Sequence, residues 1–191
     1  MHPCRRKGDQ ADAERTRVEA DARRAERHRH RGRKDAYHHT REVFAVTQLT
    51  QHFALEELTF SSTAQRLGID NTPSLELVAR LTILAMGLEK VRALLGVAMH
   101  IDSGYRCPAL NQAVGGVPNS AHVDGYAADF IAPDYGSPLM IARAIAGSGI
   151  AFDQCIMEAN SWCHISFDPR LRHQALTATF GPNGATYSGG V

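Results

Sequence analysis

Residues 103–129 read SGYRCPALNQAVGGVPNSAHVDGYAAD, and this stretch decides the fold. The alternating residues 97–103 predict a strand that ends at a glycine. A proline and a pair of glycines bound a short helix predicted over 108–114. An Asp-Gly pair at 124–125 is typical of a tight turn, and the apolar run 127–132 predicts a buried strand. The stretch therefore predicts two strands separated by a short helix and a turn.

The elements around this stretch complete the domain. Upstream, apolar residues at three- and four-residue spacing predict a long helix over 73–95, with Thr72 as its N-cap and Pro73 at its first position. The elements predicted downstream are a helix over 137–146, a hairpin of 152–158 with 162–167, and a hairpin of 175–180 with 185–187. The predicted fold class is α+β, with a small antiparallel sheet backed by helices.

Two imidazoles and a carboxylate in these segments suggest a metal site. His122 and Asp129 are seven residues apart, and an odd separation on one continuous strand would point them to opposite faces. The predicted turn between them allows two short segments to converge. His164 lies on another predicted strand, whose alternation can aim its side chain at the same point. Three protein ligands and a fourth position for water are usual in a hydrolytic zinc site.

The first downstream hairpin offers a catalytic carboxylate. If Glu158 pairs with Trp162 across a three-residue loop, Ile156 faces His164. Glu158, Trp162 and His164 then share one face of the hairpin. A carboxylate close to a metal-bound water is suited to act as a general base. The alternative interpretation is that Glu158 is a solvated hairpin end.

Charge is distributed unevenly along the 191 residues. Residues 1–42 hold 13 Lys/Arg and 8 Asp/Glu, whereas the rest of the chain holds 8 and 12. With so few aliphatic side chains, residues 1–45 are expected to form a disordered charged arm with a solvated helix around 11–29. Residues 46–191 are expected to form one domain. The change of composition also raises the hypothesis that Val46 is the natural start.

Several classes of protein are disfavoured by the sequence. No run approaches the roughly 20 apolar residues of a membrane span, and no apolar stretch follows the basic N-terminus as in a signal peptide. The protein is therefore expected to be cytoplasmic as synthesised. The acidic body argues against nucleic acid as a partner. The cysteines lack CxxC spacing and are expected to be free thiols, namely Cys4, Cys107, Cys155 and Cys163.

These residues also resemble a known family. SGYRCPALNQAVGG…SAHVDGYAADF, followed by EANSWCHISF, is similar to the zinc D-alanyl-D-alanine carboxypeptidase family, and most of all to its small domains common in bacteriophages and prophages. The resemblance extends from about Leu49 to Tyr187 and implies a zinc domain of the DD-peptidase and hedgehog type. Its most specific portion is an SxHxxGxAxD motif, made of Ser120, His122, Gly125, Ala127 and Asp129.

The resemblance implies which residues bind zinc and substrate. His122, Asp129 and His164 match the ligands of a single zinc ion. Arg106 matches the arginine that holds the carboxylate or carbonyl oxygen of the substrate. Ser120 matches a serine that lines the site and assists substrate binding.

The resemblance also bears on the catalytic base. Several members carry Asp or Glu three residues before the last histidine, where this chain has Ser161. A pattern similar to the hedgehog-type zinc domains places Glu six residues before it, which matches Glu158. Glu158 is therefore the expected base, and Trp162 is expected to offer the substrate an aromatic platform.

The resemblance implies a zinc metallopeptidase that hydrolyses peptide bonds of peptidoglycan stem peptides, as a D-Ala-D-Ala carboxypeptidase or an endopeptidase. Its expected partner is the peptidoglycan peptide, and a monomer is expected. The enzyme would act on the cell wall after release or as part of a virion. The alternative is a non-catalytic zinc-containing module that binds peptidoglycan or belongs to a phage particle.

Overall fold

The computed structural model describes residues 46–182 and 184–191. The charged segment 1–45, with the helix expected around 11–29, lies outside the described residues. The helices are α1 (Leu55–Thr59), α2 (Ser62–Leu67), α3 (Leu75–Leu95), α4 (Pro108–Ala113) and α5 (Pro138–Ala146). The strands are β1 (His100–Ser103), β2 (Ala127–Ile131), β3 (Gln154–Glu158), β4 (Trp162–Ser166), β5 (Gln174–Gly181) and β6 (Gly184–Gly189).

The strands of this described region form one six-stranded sheet in the order β1-β2-β4-β3-β5-β6. Neighbouring strands are antiparallel, except that β3 and β5 are parallel. The parallel pair arises because β4 ends beside the start of β3. Residues 167–173 then pass the start of β3, and β5 begins on the side of β3 that is opposite β4. The predicted α+β class is confirmed, with a mixed sheet instead of a wholly antiparallel one.

Helix α3 is the long helix that the apolar spacing predicts. It begins at Leu75 and not at Pro73, because the N-cap is Ser74 and not Thr72; Ser74 Oγ accepts a backbone hydrogen bond at 3.3 Å. The N–H of Thr72 instead donates to Asp70 Oδ1 at 2.9 Å in the preceding turn. Gly96 ends the helix with a φ of 69°, which glycine adopts at little cost. Within the described ranges, neither α3 nor another helix combines the length and apolar composition needed to cross a membrane.

Strand β1 is shorter than predicted. It begins at His100 and not at residue 97, because the chain is still leaving α3 and the carbonyl of Val97 accepts a hydrogen bond from the Arg92 side chain at 2.8 Å. The register with β2 shifts within β1, so that Ser103 becomes the direct partner of Asp129. A residue at the end of β1 is thereby placed beside the candidate metal ligand.

Helices α3 and α5 cover one face of the sheet. Leu84 of α3 and Ile141 and Ile145 of α5 are fully buried in the same core as the inner side chains of the strands. Gly87 allows a close approach, because a Cβ at this position would lie 2.4 Å from the ring of Phe167. Side chains alternate along each strand, so the opposite face remains available as the floor of a cleft.

Cys155 and Cys163 point toward the helices, as the alternation predicts. Both are fully buried in the core, and their sulfur atoms are 3.8 Å apart. Together with Cys107 they are free thiols, which confirms the prediction for these three residues. Cys4 lies outside the described residues.

Candidate metal centre

Three side chains converge on the face of the sheet that is opposite the helices. Asp129 in β2 and His164 in β4 are direct partners in the antiparallel ladder, so their side chains lie next to each other. His122 precedes β2 in a loop, where Gly125 has a φ of 76° and reverses the chain. The turn brings His122 back to Asp129, as the sequence predicts.

The ligand atoms of these side chains lie close together. His164 Nδ1 is 2.9 Å from Asp129 Oδ1, and His122 Nε2 is 3.2 Å from each of these two atoms. The residues are 3% (His122), 6% (Asp129) and 7% (His164) exposed. Each offers one ligand atom, and the group is able to hold a metal ion.

A backbone carbonyl fixes the tautomer of His122. Its Nδ1 lies 2.7 Å from the oxygen of Gly104, which can only accept, so Nδ1 carries the proton. Burial lowers the pKa of His122 more than Asp129 raises it, so the ring is neutral and Nε2 has a free lone pair. That lone pair and Asp129 Oδ1 face each other at 3.2 Å. Two acceptors at this distance repel each other, and a cation that both of them ligate would remove this repulsion.

Gly104 owes its position to a close approach to α1. A Cβ at residue 104 would lie 2.3 Å from the carbonyl oxygen of Leu58, so a larger residue does not fit. The next N–H, of Tyr105, donates to the same oxygen at 2.7 Å. The sequence predicts Gly104 only as a strand breaker, because a backbone acceptor for His122 leaves no side-chain signal.

Arg106 contacts the candidate ligand Asp129. Its Nη2 forms an ion pair with Asp129 Oδ2, and its Nε donates to Ser103 Oγ at 2.8 Å. The positive charge of the guanidinium beside Asp129 favours the ionised form of this carboxylate. The carboxylate therefore stays ionised, with Oδ1 toward the imidazoles and Oδ2 toward Arg106.

Asn71 holds the loop on both sides of Arg106. Its Nδ2 donates to the carbonyl oxygens of Thr59 at 2.9 Å and Tyr105 at 3.0 Å. Its Oδ1 accepts a hydrogen bond from the N–H of Cys107 at 2.7 Å. The sequence indicates only a polar turn at this residue. Its role was missed because its partners are 12 to 36 positions away along the chain.

The β3–β4 hairpin has the predicted register, with Glu158 opposite Trp162 and Ile156 opposite His164. Trp162 Nε1 donates to Glu158 Oε2 at 3.1 Å. Burial raises the pKa of Glu158 and outweighs the opposing effects of His164 and of the Trp162 hydrogen bond. The carboxylate is therefore more basic than an exposed one, and Glu158 is not the solvated hairpin end of the alternative interpretation.

One cleft, with a volume of about 1010 Å³, contains the candidate residues. Ser120 is fixed beside His122, whose backbone N–H donates to Ser120 Oγ at 3.4 Å. Asp102 contributes a further carboxylate to the lining. All the site residues expected from the sequence line this cleft: Arg106, Ser120, His122, Asp129, Glu158, Trp162 and His164.

Residues 51–166 match the sequence profile of a known family, Peptidase M15, and this span is more than half of the chain. The chain belongs to this family. The resemblance expected from the motifs is thereby confirmed. A comparison with curated protein sequences finds no significant match.

Peptidase M15 is a family of zinc-dependent peptidases, and the buried His122, Asp129 and His164 fit its metal requirement. The matched span contains every site residue expected from the sequence, and it also contains Asn71 and Gly104. It ends at the last residue of β4, so β5 and β6 lie beyond it.

Proposed function

We propose that this protein is a zinc metallopeptidase that hydrolyses peptide bonds of peptidoglycan stem peptides, of the D-Ala-D-Ala carboxypeptidase or endopeptidase type. The observation that carries the proposal is the buried group of His122, Asp129 and His164 in a cleft of a Peptidase M15 chain. A cleft of about 1010 Å³ is large enough for several residues of a peptide.

His122, Asp129 and His164 are proposed to hold one zinc ion. Imidazole nitrogen and carboxylate oxygen are common zinc ligands, and three protein ligands leave a position for water. A bound zinc ion would supply the Lewis acidity that makes hydroxide available near neutral pH. The neutral ring of His122, with its Nε2 lone pair directed at Asp129, suits this role.

Glu158 is proposed as the general base. Its carboxylate lines the cleft, and the indole N–H of Trp162 restrains Oε2. Glu158 would take a proton from the attacking water and pass it to the departing amine. Ser161 has no carboxylate to offer, and its hydroxyl donates to the carbonyl of Ala159 at 3.3 Å within the hairpin turn.

Arg106, Ser120 and Trp162 are proposed to bind the substrate. A guanidinium has five N–H donors, and those of Arg106 that do not contact Asp129 or Ser103 can bind a carbonyl oxygen or a carboxylate of the peptide. Such donors would also stabilise the negative charge that develops on the scissile carbonyl. Trp162 can present its ring to the substrate while its N–H holds Glu158.

The test is digestion of purified muropeptides by the zinc-loaded protein, with products identified by mass spectrometry. Glu158→Gln should keep one zinc ion per chain yet lose activity by about 100-fold or more, because a positioned base contributes about that much. Asp102→Asn is the matched control, since Asp102 also lines the cleft. It is expected to keep most of the activity.

Two outcomes would contradict the proposal in different ways. Full activity in Glu158→Gln would show that another group is the base. A wild-type protein that binds zinc and muropeptides but releases no product would favour the non-catalytic binding module. The absence of an acid at Ser161 is the feature that favours this second function.

A further inference from the structure

The hairpin of β5 and β6 forms a wall of the cleft, although it lies beyond the part of the chain that matches the family profile. The profile ends at residue 166, and the hairpin begins at residue 174. Its contributions to the lining are Phe180, Gly184, Ala185 and Tyr187. This wall therefore belongs to a region of the chain that the shared family pattern does not account for.

The register gives the distance between Trp162, which lies two residues from the ligand His164 on β4, and the far strand of the wall. Trp162, Glu158, Ala178 and Tyr187 occupy one row across β4, β3, β5 and β6. Three steps between neighbouring strands amount to about 14 Å. An extended peptide advances about 3.3–3.6 Å per residue. A peptide that extends from Trp162 to Tyr187 thus spans about four residues, and the ligand His164 lies a further two positions along β4.

Two aromatic side chains of this wall are exposed. Phe180 and Tyr187 are 52% and 55% exposed, and both line the cleft. The ring of Phe180 stacks on that of Trp162, with centroids 6.3 Å apart, so the aromatic surface is continuous with the residue that holds Glu158. Small neighbours such as Ala185 leave the ring of Phe180 open to a flat ligand.

Charge distinguishes this end of the cleft from the rest. Residues 174–189 contain no Asp, Glu, Lys or Arg. Burial and the nearby Glu158 raise the pKa of Tyr187, so its hydroxyl stays protonated and uncharged. Among the described lining residues, the ionic side chains are Asp102, Arg106, Asp129, Glu158, Arg170 and Arg172. The hairpin end therefore suits an uncharged group with a flat apolar face and hydroxyls.

We propose that Tyr187 and Phe180 bind the amino-sugar end of a stem peptide that is still attached to its glycan. This inference rests on the proposed function, since it names the form in which that substrate is taken. The stem peptide carries carboxylates and amines, which the uncharged wall does not match. The amino sugar at its far end is uncharged, has an apolar ring face and lies several residues from the bond to be cut. Exposed aromatic rings with hydroxyls nearby fit such a ring.

The experiment compares two substrates with the full-length, zinc-loaded protein. One is a stem pentapeptide, and the other is the same pentapeptide linked to its N-acetylated amino sugar. The wild type should have a higher kcat/KM for the sugar-bearing substrate, so the ratio of this kcat/KM to that of the free pentapeptide should exceed one. It should fall about 3- to 10-fold in Tyr187→Ala, which corresponds to the loss of one aromatic contact. Tyr187→Phe, which keeps the ring, should largely restore the ratio.

Thr186→Ala is the matched control, because Thr186 lies next to Tyr187 on β6 and its side chain points to the other face. It should leave the ratio unchanged. The proposal would be overturned if Tyr187→Ala leaves the ratio unchanged, whether or not it cleaves both substrates more slowly. If the wild type cleaves neither substrate, the proposed function is overturned instead. Calorimetric titration of both uncleaved compounds then decides the inference, and equal affinities in wild type and Tyr187→Ala would overturn it.

Discussion

Replacement of Asn71 by alanine is expected to destabilise the domain and to loosen its metal centre together. The side-chain amide of Asn71 makes three hydrogen bonds, to the carbonyls of Thr59 and Tyr105 and from the N–H of Cys107. Alanine leaves all three backbone groups without this partner. Arg106 lies between two of them, and its guanidinium holds Asp129 Oδ2. The perturbation therefore reaches the metal ligand through one loop.

The magnitude follows from the number of bonds lost. A hydrogen bond in a partly buried site contributes about 1 kcal/mol, so the three lost by Asn71→Ala amount to about 3 kcal/mol. For a domain of this size, the midpoint of thermal unfolding should fall by about 6–12 °C. Residues that orient metal ligands typically change metal affinity by about 10–100-fold. We expect zinc to bind about tenfold more weakly.

Thermal melts of the metal-free proteins measure the first effect without the added stabilisation by bound metal. Competition with a chelator measures the second. Asn119→Ala, at an exposed asparagine, is the control for stability and should change the midpoint little. Asn71→Asp keeps the acceptor for Cys107 but places an oxygen against two carbonyls, so it should be at least as destabilising as alanine. A wild-type midpoint and zinc affinity in Asn71→Ala would refute this reasoning.

Three further predictions concern the ligand, its orientation and an ion pair. His122→Ala should lose zinc and the stabilisation that zinc gives, and metal analysis that still finds one ion per chain would contradict this. Gly104→Ala should lower both the stability of the domain and its zinc affinity, because the alanine Cβ would lie 2.3 Å from the carbonyl oxygen of Leu58. Thermal melts measure the loss of stability, and competition with a chelator measures the loss of zinc affinity. Asp153 is fully buried, and this burial raises its pKa. The hydrogen bonds and charge of Arg172 outweigh the effect of burial, so the pKa of Asp153 lies below its usual value. The stability from this pair should therefore be present above about pH 4 and lost as the pH falls through the lowered pKa. Denaturant unfolding from pH 7 to pH 3 should show a steeper loss for wild type than for Asp153→Asn, and parallel curves would count against it.

Much of the candidate site was predictable because its signals are local. Alternation along a strand decides which face a side chain takes, so the pairing of Glu158 with Trp162 followed from hairpin spacing alone. A glycine in a tight turn between His122 and Asp129 was enough to predict that the chain doubles back between them. The apolar spacing of α3 likewise predicted its presence, although its N-cap was placed two residues early.

The sequence by itself thus determined the α+β elements, the hairpin register and the set of residues able to ligate a metal, since each depends on neighbours within a few positions. The tertiary structure alone decided that β5 pairs parallel to β3, that Gly104 orients His122 and that Asn71 secures the loop of Arg106. It also decided that Tyr187 reaches the cleft. These contacts join segments far apart in the chain, often through backbone atoms that every residue possesses. A local pattern of side chains therefore does not predict them.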